Sequence, residues 1–139
     1  MPYLVDSDIL IYYTNGVLET HDLIEHLAPV GLAVSAVSYM ETQQGIRRSP
    51  IPHDAQTRLD DLLEAVPIVA FSRSEALRCA QLRETLRNQG SRVRQWALDL
   101  MIAATALEHG FTLLTNNPAD YRDVPGLQVE TPQTLEVDE

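Results

Sequence analysis

Short apolar runs alternate with longer segments of helical periodicity along the chain. Five runs predict strands: Tyr3 to Val5, Leu32 to Ser35, Val66 to Phe71, Phe111 to Thr115, and Leu127 to Val129. Between these runs, apolar residues recur every three or four positions, as in helices that bury one face. Strands that alternate with helices indicate an α/β fold, with a parallel sheet and helices on both of its faces.

Polar residues that can cap helices predict where two of the helices begin. Asp8 is expected to cap a helix that begins at Ile9. Ser38 is expected to begin the helix after the second strand, and Glu41 three residues later then fits a capping box. The helix from Gln95 to Glu108 is apolar nearly all round, which predicts a central position in the fold.

Acidic and amide side chains stand where apolar segments begin or end. Asp6 and Glu41 follow the first two strands, Asp99 lies within the most apolar helix, and Asn117 and Asp120 follow the strand from residue 111. Because ligand sites in parallel sheets form beyond the carboxyl ends of the strands, we expect a shared site there. A buried carboxylate needs a cation or several donors, and several convergent carboxylates need a divalent metal. Ligands that are all oxygen suit Mg²⁺ or Mn²⁺.

Each of these side chains also has a purely structural interpretation. Asp6 can accept hydrogen bonds from the amides of its own turn, and Glu41 can serve in the capping box. Asp99 can pair with an arginine of a neighbouring element, although metal ligation is the preferred interpretation. Asn117 and Asp120 are ordinary turn residues. Taken one at a time, these positions leave both interpretations open.

Composition narrows the class of protein. A chain of 139 residues with 45% hydrophobic content suits a single domain over residues 1–139. No apolar run approaches the length of about 20 residues that a membrane span needs, and no signal peptide is expected, so the expected compartment is the cytoplasm. The single cysteine, Cys79, excludes an internal disulfide, and the four histidines lack the spacing of zinc ligands.

The charged residues exclude further classes. A net charge of −10 argues against binding nucleic acid through bulk charge. All ten basic residues are arginines, and six of them fall between Arg73 and Arg94, so a basic face can still exist. The pair Asp6 and Asp8 after a strand is similar to haloacid-dehalogenase-like phosphatases, but that class and receiver-type phosphoacceptor domains usually need a lysine. The absence of lysine argues against both.

Four segments of the chain carry a family resemblance. They are Leu4 to Ile11, Val34 to Glu41, Asp99 to Leu107 and Thr115 to Tyr121. In this order they resemble the PIN domain, and within it the VapC-type toxin ribonucleases of bacterial type II toxin–antitoxin pairs. The most specific part is Asp-x-x-Ile-Ala-Ala-x-Ala-Leu followed by Thr-x-Asn-x-x-Asp-aromatic. The resemblance covers nearly the whole chain.

The resemblance implies a fold, an activity and partners. The fold is a PIN-like three-layer sandwich, with a central, mostly parallel sheet of four to five strands flanked by helices. The activity is cleavage of RNA by a Mg²⁺- or Mn²⁺-dependent endoribonuclease. In such an enzyme the catalytic residues would be Asp6, Glu41, Asp99 and Asp120, and the metal would be bound by Asp6 and Asp99. The implied partners are an RNA substrate, a cognate VapB-type antitoxin and a second copy in a homodimer.

Two features depart from the family pattern. Many relatives have an acid where this chain has Asn117, so the fourth polar position of the pocket is open between Asn117 and Asp120. The segment between Gly90 and Asp99 is longer than usual. The first departure keeps an alternative open, a catalytically degenerate PIN-like scaffold that binds RNA or protein without cutting it.

The longer segment carries Arg92 and Arg94, which we predict to contact RNA phosphates. Arg92→Ala or Arg94→Ala should weaken RNA binding, and should also flatten its salt dependence because fewer counterions are released. Filter binding across a salt series measures both effects, and unchanged affinity at every salt concentration would contradict the prediction. For the arginine cluster as a whole, which also includes Arg83 and Arg87, the alternative is a solvated helix face that pairs with Glu75 and Glu84.

Overall fold

A five-stranded sheet forms the centre of the molecule. The computed structural model describes residues 2–90 and 97–137, with side chains as far as residue 135. Its strands are β1 (Tyr3–Val5), β2 (Leu32–Ser35), β3 (Ile68–Val69), β4 (Thr112–Leu114) and β5 (Val129–Glu130). They lie in the order β3-β2-β1-β4-β5, and every neighbouring pair is parallel. The predicted α/β class is therefore confirmed.

Helices connect the strands and cover both faces of the sheet. In the described part of the chain they are α1 (Ser7–Thr14), α2 (Leu18–Leu27), α3 (Ala36–Ile46), α4 (Pro52–Leu63), α5 (Arg73–Asn88), α6 (Ala97–His109) and α7 (Pro132–Val137). A 3₁₀ turn spans Pro118–Tyr121. No helix within the described residues combines the length and the apolar character that crossing a bilayer requires.

Consecutive residues of the central strands enter two different cores. Leu4 and Leu113 pack in the cluster that includes residues of α5 and α6. Val5 and Leu114 pack in the cluster that includes residues of α1 and α2. Because successive side chains of a strand point to opposite faces, these two cores lie on the two sides of the sheet. The three-layer arrangement follows directly.

Helix α1 begins earlier than the sequence predicted. Its cap is Asp6, not Asp8, and the Asp6 Oδ1 atom accepts a hydrogen bond from the Ser7 amide at 2.8 Å. The prediction of Asp8 as the cap was wrong because β1 passes into α1 without a linker. The first residue after the strand therefore takes the capping position, and Asp8 lies inside the first turn.

Helix α3 also begins early, which changes the position of Glu41. The cap is Ser35, whose Oγ accepts a hydrogen bond from the Ser38 amide at 2.9 Å and donates one to the Ser38 Oγ at 3.0 Å. The predicted capping box of Ser38 and Glu41 was wrong for the same reason as at α1, since β2 ends in the capping residue itself. Glu41 therefore lies beyond the first turn, and its carboxylate is not used for capping.

The edges of the sheet are shorter or shifted relative to the predicted strands. The run from Val66 to Phe71 supplies only the two residues of β3, because β3 pairs with β2 alone and β2 turns into α3 after Ser35. The last strand begins at Val129, two residues later than predicted. Helix α6 is described from Ala97, and the predicted start at Gln95 lies outside the described residues.

We predict that Ser35→Ala lowers the free energy of unfolding by about 1 kcal/mol, the usual cost of a lost helix cap. The buried Ser38 amide and hydroxyl would lose their partner, which adds to that cost. Urea unfolding followed by circular dichroism measures the change. The matched control is Ser74→Ala on exposed α5 surface, which should change stability little. Equal stability of the two variants would contradict this assignment of the cap.

Candidate active site

Asp6 is the most enclosed carboxylate at the carboxyl edge of the sheet, with only 5% of the residue exposed. Besides the Ser7 amide on Oδ1, its Oδ2 atom accepts hydrogen bonds from the Thr115 Oγ1 at 2.8 Å and the Tyr121 hydroxyl at 3.0 Å. Burial nevertheless raises the pKa of Asp6, because desolvation outweighs these hydrogen bonds and the charge of Asp120 adds to it.

Tyr121 connects Asp6 to Asp99. Its hydroxyl lies 3.0 Å from the Asp6 Oδ2 atom and 3.3 Å from the Asp99 Oδ1 atom. A phenol carries one proton, so it donates fully to one carboxylate at a time. Burial and the charges of Asp6 and Asp99 raise the pKa of Tyr121 well above its usual value, so it stays neutral. Tyr121 is therefore a proton-bearing contact between the two predicted metal ligands.

Asp99 is the third described residue of α6, and its side chain faces the other acids. Burial, followed by the charges of Asp6, Asp120 and Glu41 in that order, raises the pKa of Asp99 to about 6. Its side-chain hydrogen bond within the described residues is the one with Tyr121. Asp99 therefore belongs to the same electrostatic cluster as the other acids.

Glu41 reaches the cluster from α3. Its Oε1 atom accepts a hydrogen bond from the Ser7 hydroxyl at 3.0 Å, next to the Asp6 cap. Burial raises the pKa of Glu41, the hydrogen bond from Ser7 lowers it, and the charge of Asp6 raises it. The structure thus brings Asp6 and Glu41 to the edge that the strand ends predicted, and Asp99 to the same place, as the family resemblance implied.

Asp8 is part of the site, although the sequence pattern indicated only a cap. Its Oδ2 atom accepts hydrogen bonds from the Asn116 amide at 3.0 Å and the Asn117 Nδ2 at 2.8 Å. Burial, followed by the charge of Asp6, raises the pKa of Asp8 to about 6. Asp8 therefore ties the loop after β4 to the first turn of α1.

The two candidates for the fourth polar position lie in different places. Asn117 is exposed and donates its side-chain amide to Asp8. Asp120 is also exposed, in the 3₁₀ turn, and its charge raises the pKa of both Asp6 and Asp99. Asp120 thus adds charge to the cluster, whereas Asn117 adds a donor to its border. The catalytic assignment of either residue stays a prediction.

Three residues of the site were given no role in the sequence analysis. Ser7, Thr115 and Tyr121 all lie in the family motifs, and each follows a buried strand or an acid of the motif. Thr115 directly follows β4, whereas the sequence analysis placed it inside the predicted strand, which concealed its role. Arg92 and Arg94 lie outside the described residues.

The donor chemistry suits a hard cation, but the acids do not form a ready-made metal cage. Within residues 2–90 and 97–137, no three histidine, cysteine, aspartate or glutamate side chains are arranged to hold a metal ion as they stand. Both oxygens of Asp6 already accept hydrogen bonds from the protein. The carboxylates nevertheless supply the oxygen ligands that Mg²⁺ prefers. Ligation by Asp6 and Asp99 therefore stays a prediction, and it requires these side chains to turn towards the ion.

Comparison with known proteins decides the family. A model of the PIN domain matches residues 3–127. The chain belongs to the PIN domain family. Ribonuclease VapC2 of Rickettsia felis is 30% identical over 132 residues, which are 94% of this chain and 97% of that protein. The tRNA(fMet)-specific endonuclease VapC of Shigella flexneri is 27% identical over 130 residues, with the same shares covered.

A solved structure agrees with these relatives. VapBC2 from Rickettsia felis, bound to a DNA fragment from its promoter, contains a chain that matches this PIN domain with a TM-score of 0.81 and 28% identity. The match covers 94% of this chain and 98% of that one. The predicted VapC-type family and its PIN-like fold are confirmed.

The raised pKa of Asp99 predicts a stability that depends on pH. A carboxyl whose folded pKa is about 6, above its unfolded value of about 3.9, favours folding below the unfolded value. That contribution is lost as the pH rises through 6. Asp99→Asn should therefore raise the free energy of unfolding by about 1–2 kcal/mol at pH 8, and change it little at pH 4.

Urea unfolding at the two pH values, in the presence of a chelator, measures this difference. The matched control is Asp22→Asn, since the Asp22 side chain is 83% exposed and its substitution should change stability little. An Asp99→Asn variant that is less stable than the wild type at pH 8 would show that the surroundings stabilise the ionised Asp99.

Proposed function

We propose that this PIN domain is the toxin of a type II toxin–antitoxin pair and cleaves cellular RNA as a metal-dependent endoribonuclease. The observation that carries the proposal is the convergence of Asp6, Glu41 and Asp99 at the carboxyl edge of the sheet, with the Tyr121 hydroxyl between two of them. The ribonuclease names of the VapC relatives support the same activity.

The charge of the site argues for a cation in the reaction. An RNA phosphodiester is an anion, and it would meet a cluster of carboxylates on a chain of net charge −10. The negative phosphate and the negative carboxylates repel each other, so a phosphate can bind here only with a cation between it and the acids. Mg²⁺ or Mn²⁺ held by Asp6 and Asp99 would lower the pKa of a water molecule and offset charge on the phosphate.

Glu41 is the residue best placed to take the proton from the attacking water, with Asp6 as the other candidate. The Ser7 hydroxyl orients Glu41 through Oε1 and leaves Oε2 as an acceptor. Its raised pKa brings the carboxylate closer to the working pH, where a general base is most effective. Thr115 and Tyr121 orient Asp6, and Asp8 holds the loop that carries Asn117.

The proposed partners follow from the same acid cluster and from the relatives. The Rickettsia felis structure is a VapBC2 complex, so a VapB-type antitoxin is the proposed partner of this chain. A cluster of carboxylates is a fitting target for an arginine, which can bind a carboxylate through two parallel hydrogen bonds. A homodimer and a cytoplasmic location complete the proposal.

Metal-dependent cleavage is the direct test. Purified antitoxin-free protein with Mg²⁺ or Mn²⁺ should cleave total cellular RNA, and tRNA should be tested first because the Shigella flexneri relative is named for it. Asp6→Asn and Asp99→Asn should each lower the cleavage rate at least about 100-fold, because even the outer-shell partners of metal ligands are worth about 10- to 100-fold.

The control variant is Asp22→Asn, an equivalent substitution of an exposed aspartate, which should cleave at the wild-type rate. In cells, cleavage ends should be mapped for the wild type and for Asp6→Ala. The same ends and the same toxicity in both would overturn the proposed mechanism.

A non-cutting scaffold is the second candidate. It is favoured by the amide of Asn117 at a position where the family resemblance implies an acid, and by the absence of a ready-made metal cage among the described residues. RNA binding without cleavage, at any concentration of Mg²⁺ or Mn²⁺, would establish this alternative.

A further inference from the structure

A recess of about 260 Å³ opens beside the acid cluster, and of its lining residues only Asp120 is also a predicted catalytic residue. We propose that it is a subsite for an unpaired guanine base of the RNA, next to the phosphodiester that is cleaved. This inference rests on the proposed function, because it assigns the recess to the same substrate strand.

Two pairs of consecutive residues join the recess to the acid cluster. Asp99 contacts Tyr121 in the cluster, whereas Leu100 lines the recess. In the 3₁₀ turn, Tyr121 enters the cluster and Asp120 lines the recess. The charge of Asp120 also raises the pKa of Asp99, so the two sites are electrostatically in contact. A nucleotide whose phosphate is at the acids therefore has its base within reach of the recess.

The wall of the recess is apolar and the volume is small. Leu86, Leu100 and Val124 line it, and all three are buried in the core that includes α5 and α6. Sites for drug-sized ligands have volumes of about 300–1,000 Å³, so this recess suits something smaller, such as one flat base. Unpaired RNA bases that are splayed out of the strand are recognised in this way, by packing combined with hydrogen bonds at their edges.

The polar residues of the recess determine which ligand it fits. Arg122 stands between Asp120 and Asp123 in the sequence, all three line the recess, and all three are exposed. Two carboxylates and one guanidinium leave a net negative charge, which disfavours a phosphate as the occupant. The same groups suit a base, because carboxylates accept from base N–H groups and arginine donates to base oxygens. Guanine alone presents two adjacent N–H donors beside a carbonyl oxygen on its pairing edge.

A titration without metal tests the subsite separately from catalysis. We expect GMP to shift the backbone amide resonances of Leu100 and of residues 119–124, in spectra of the metal-free protein. UMP and inorganic phosphate serve as probes that share the phosphate and lack guanine, and they should leave these resonances in place. Equal shifts with UMP and GMP, or no GMP shift at the recess, would overturn the inference.

Variants then assign the binding to the recess. Arg122→Gln should weaken GMP binding about tenfold, the effect of one good contact between arginine and a base. The matched control is Arg73→Gln, an exposed arginine at the other end of α5, about 20 Å from Leu86 along the helix, which should bind GMP as the wild type does. Wild-type affinity in Arg122→Gln would overturn the inference.

Filling the recess gives an independent test. Ala119 is exposed and lines the recess, so Ala119→Phe should block GMP while an unchanged unfolding midpoint shows that the fold is intact. In cleavage maps, the wild type and Arg73→Gln should show guanine at one fixed position beside the cut. In Arg122→Gln and Ala119→Phe, cleavage sites with guanine at that position should no longer be preferred over cleavage sites with another base there.

The outcomes separate this inference from the proposed function. Cleavage with no guanine preference and no GMP shift would overturn the subsite and leave the ribonuclease intact. GMP binding at the recess without any cleavage would support the subsite and overturn the ribonuclease, in favour of a scaffold that binds RNA.

Discussion

The burial of the Asp6 carboxylate is the constraint on which the rest of the site depends. This charge has left water at the end of β1, and it is held by the Ser7 amide, the Thr115 hydroxyl and the Tyr121 hydroxyl. Those donors come from α1, from the end of β4 and from the 3₁₀ turn. Because a buried carboxylate without donors is costly, the three segments must all be in place for the fold to be stable.

The same constraint explains why the clustered carboxylates of the site accept hydrogen bonds from uncharged donors. The hydrogen bonds described for Asp6, Asp8 and Glu41 come from amides and hydroxyl groups. Such donors orient carboxylates without cancelling their charge, so the acids remain available to a cation. The raised pKa values of these side chains record the cost of this arrangement. Stability given up at an active site is a common price of function.

Neighbouring residues at this edge face different places, so the recess lies directly beside the acid cluster. At the start of α6, Asp99 faces the acids and Leu100 faces the recess. The 3₁₀ turn repeats the pattern with Tyr121 and Asp120. Both segments are anchored in the same core, through Leu100 and Tyr121.

The sequence by itself determined the α/β class, the parallel sheet, and the position of Asp6 and Glu41 at one edge. These follow from local periodicity and from the rule that sites form at the carboxyl ends of parallel strands. The place of Asp99 in the same site was implied by the family resemblance, since no predicted strand ends next to it. Only the tertiary structure decided that Asp6 rather than Asp8 caps α1. The pairing of β1 with its neighbours fixes where the strand ends, and its free energy exceeds the small difference in free energy between the two possible caps. The contact of Tyr121 with Asp6 was also decided there, since it spans more than a hundred residues and no local pattern encodes it.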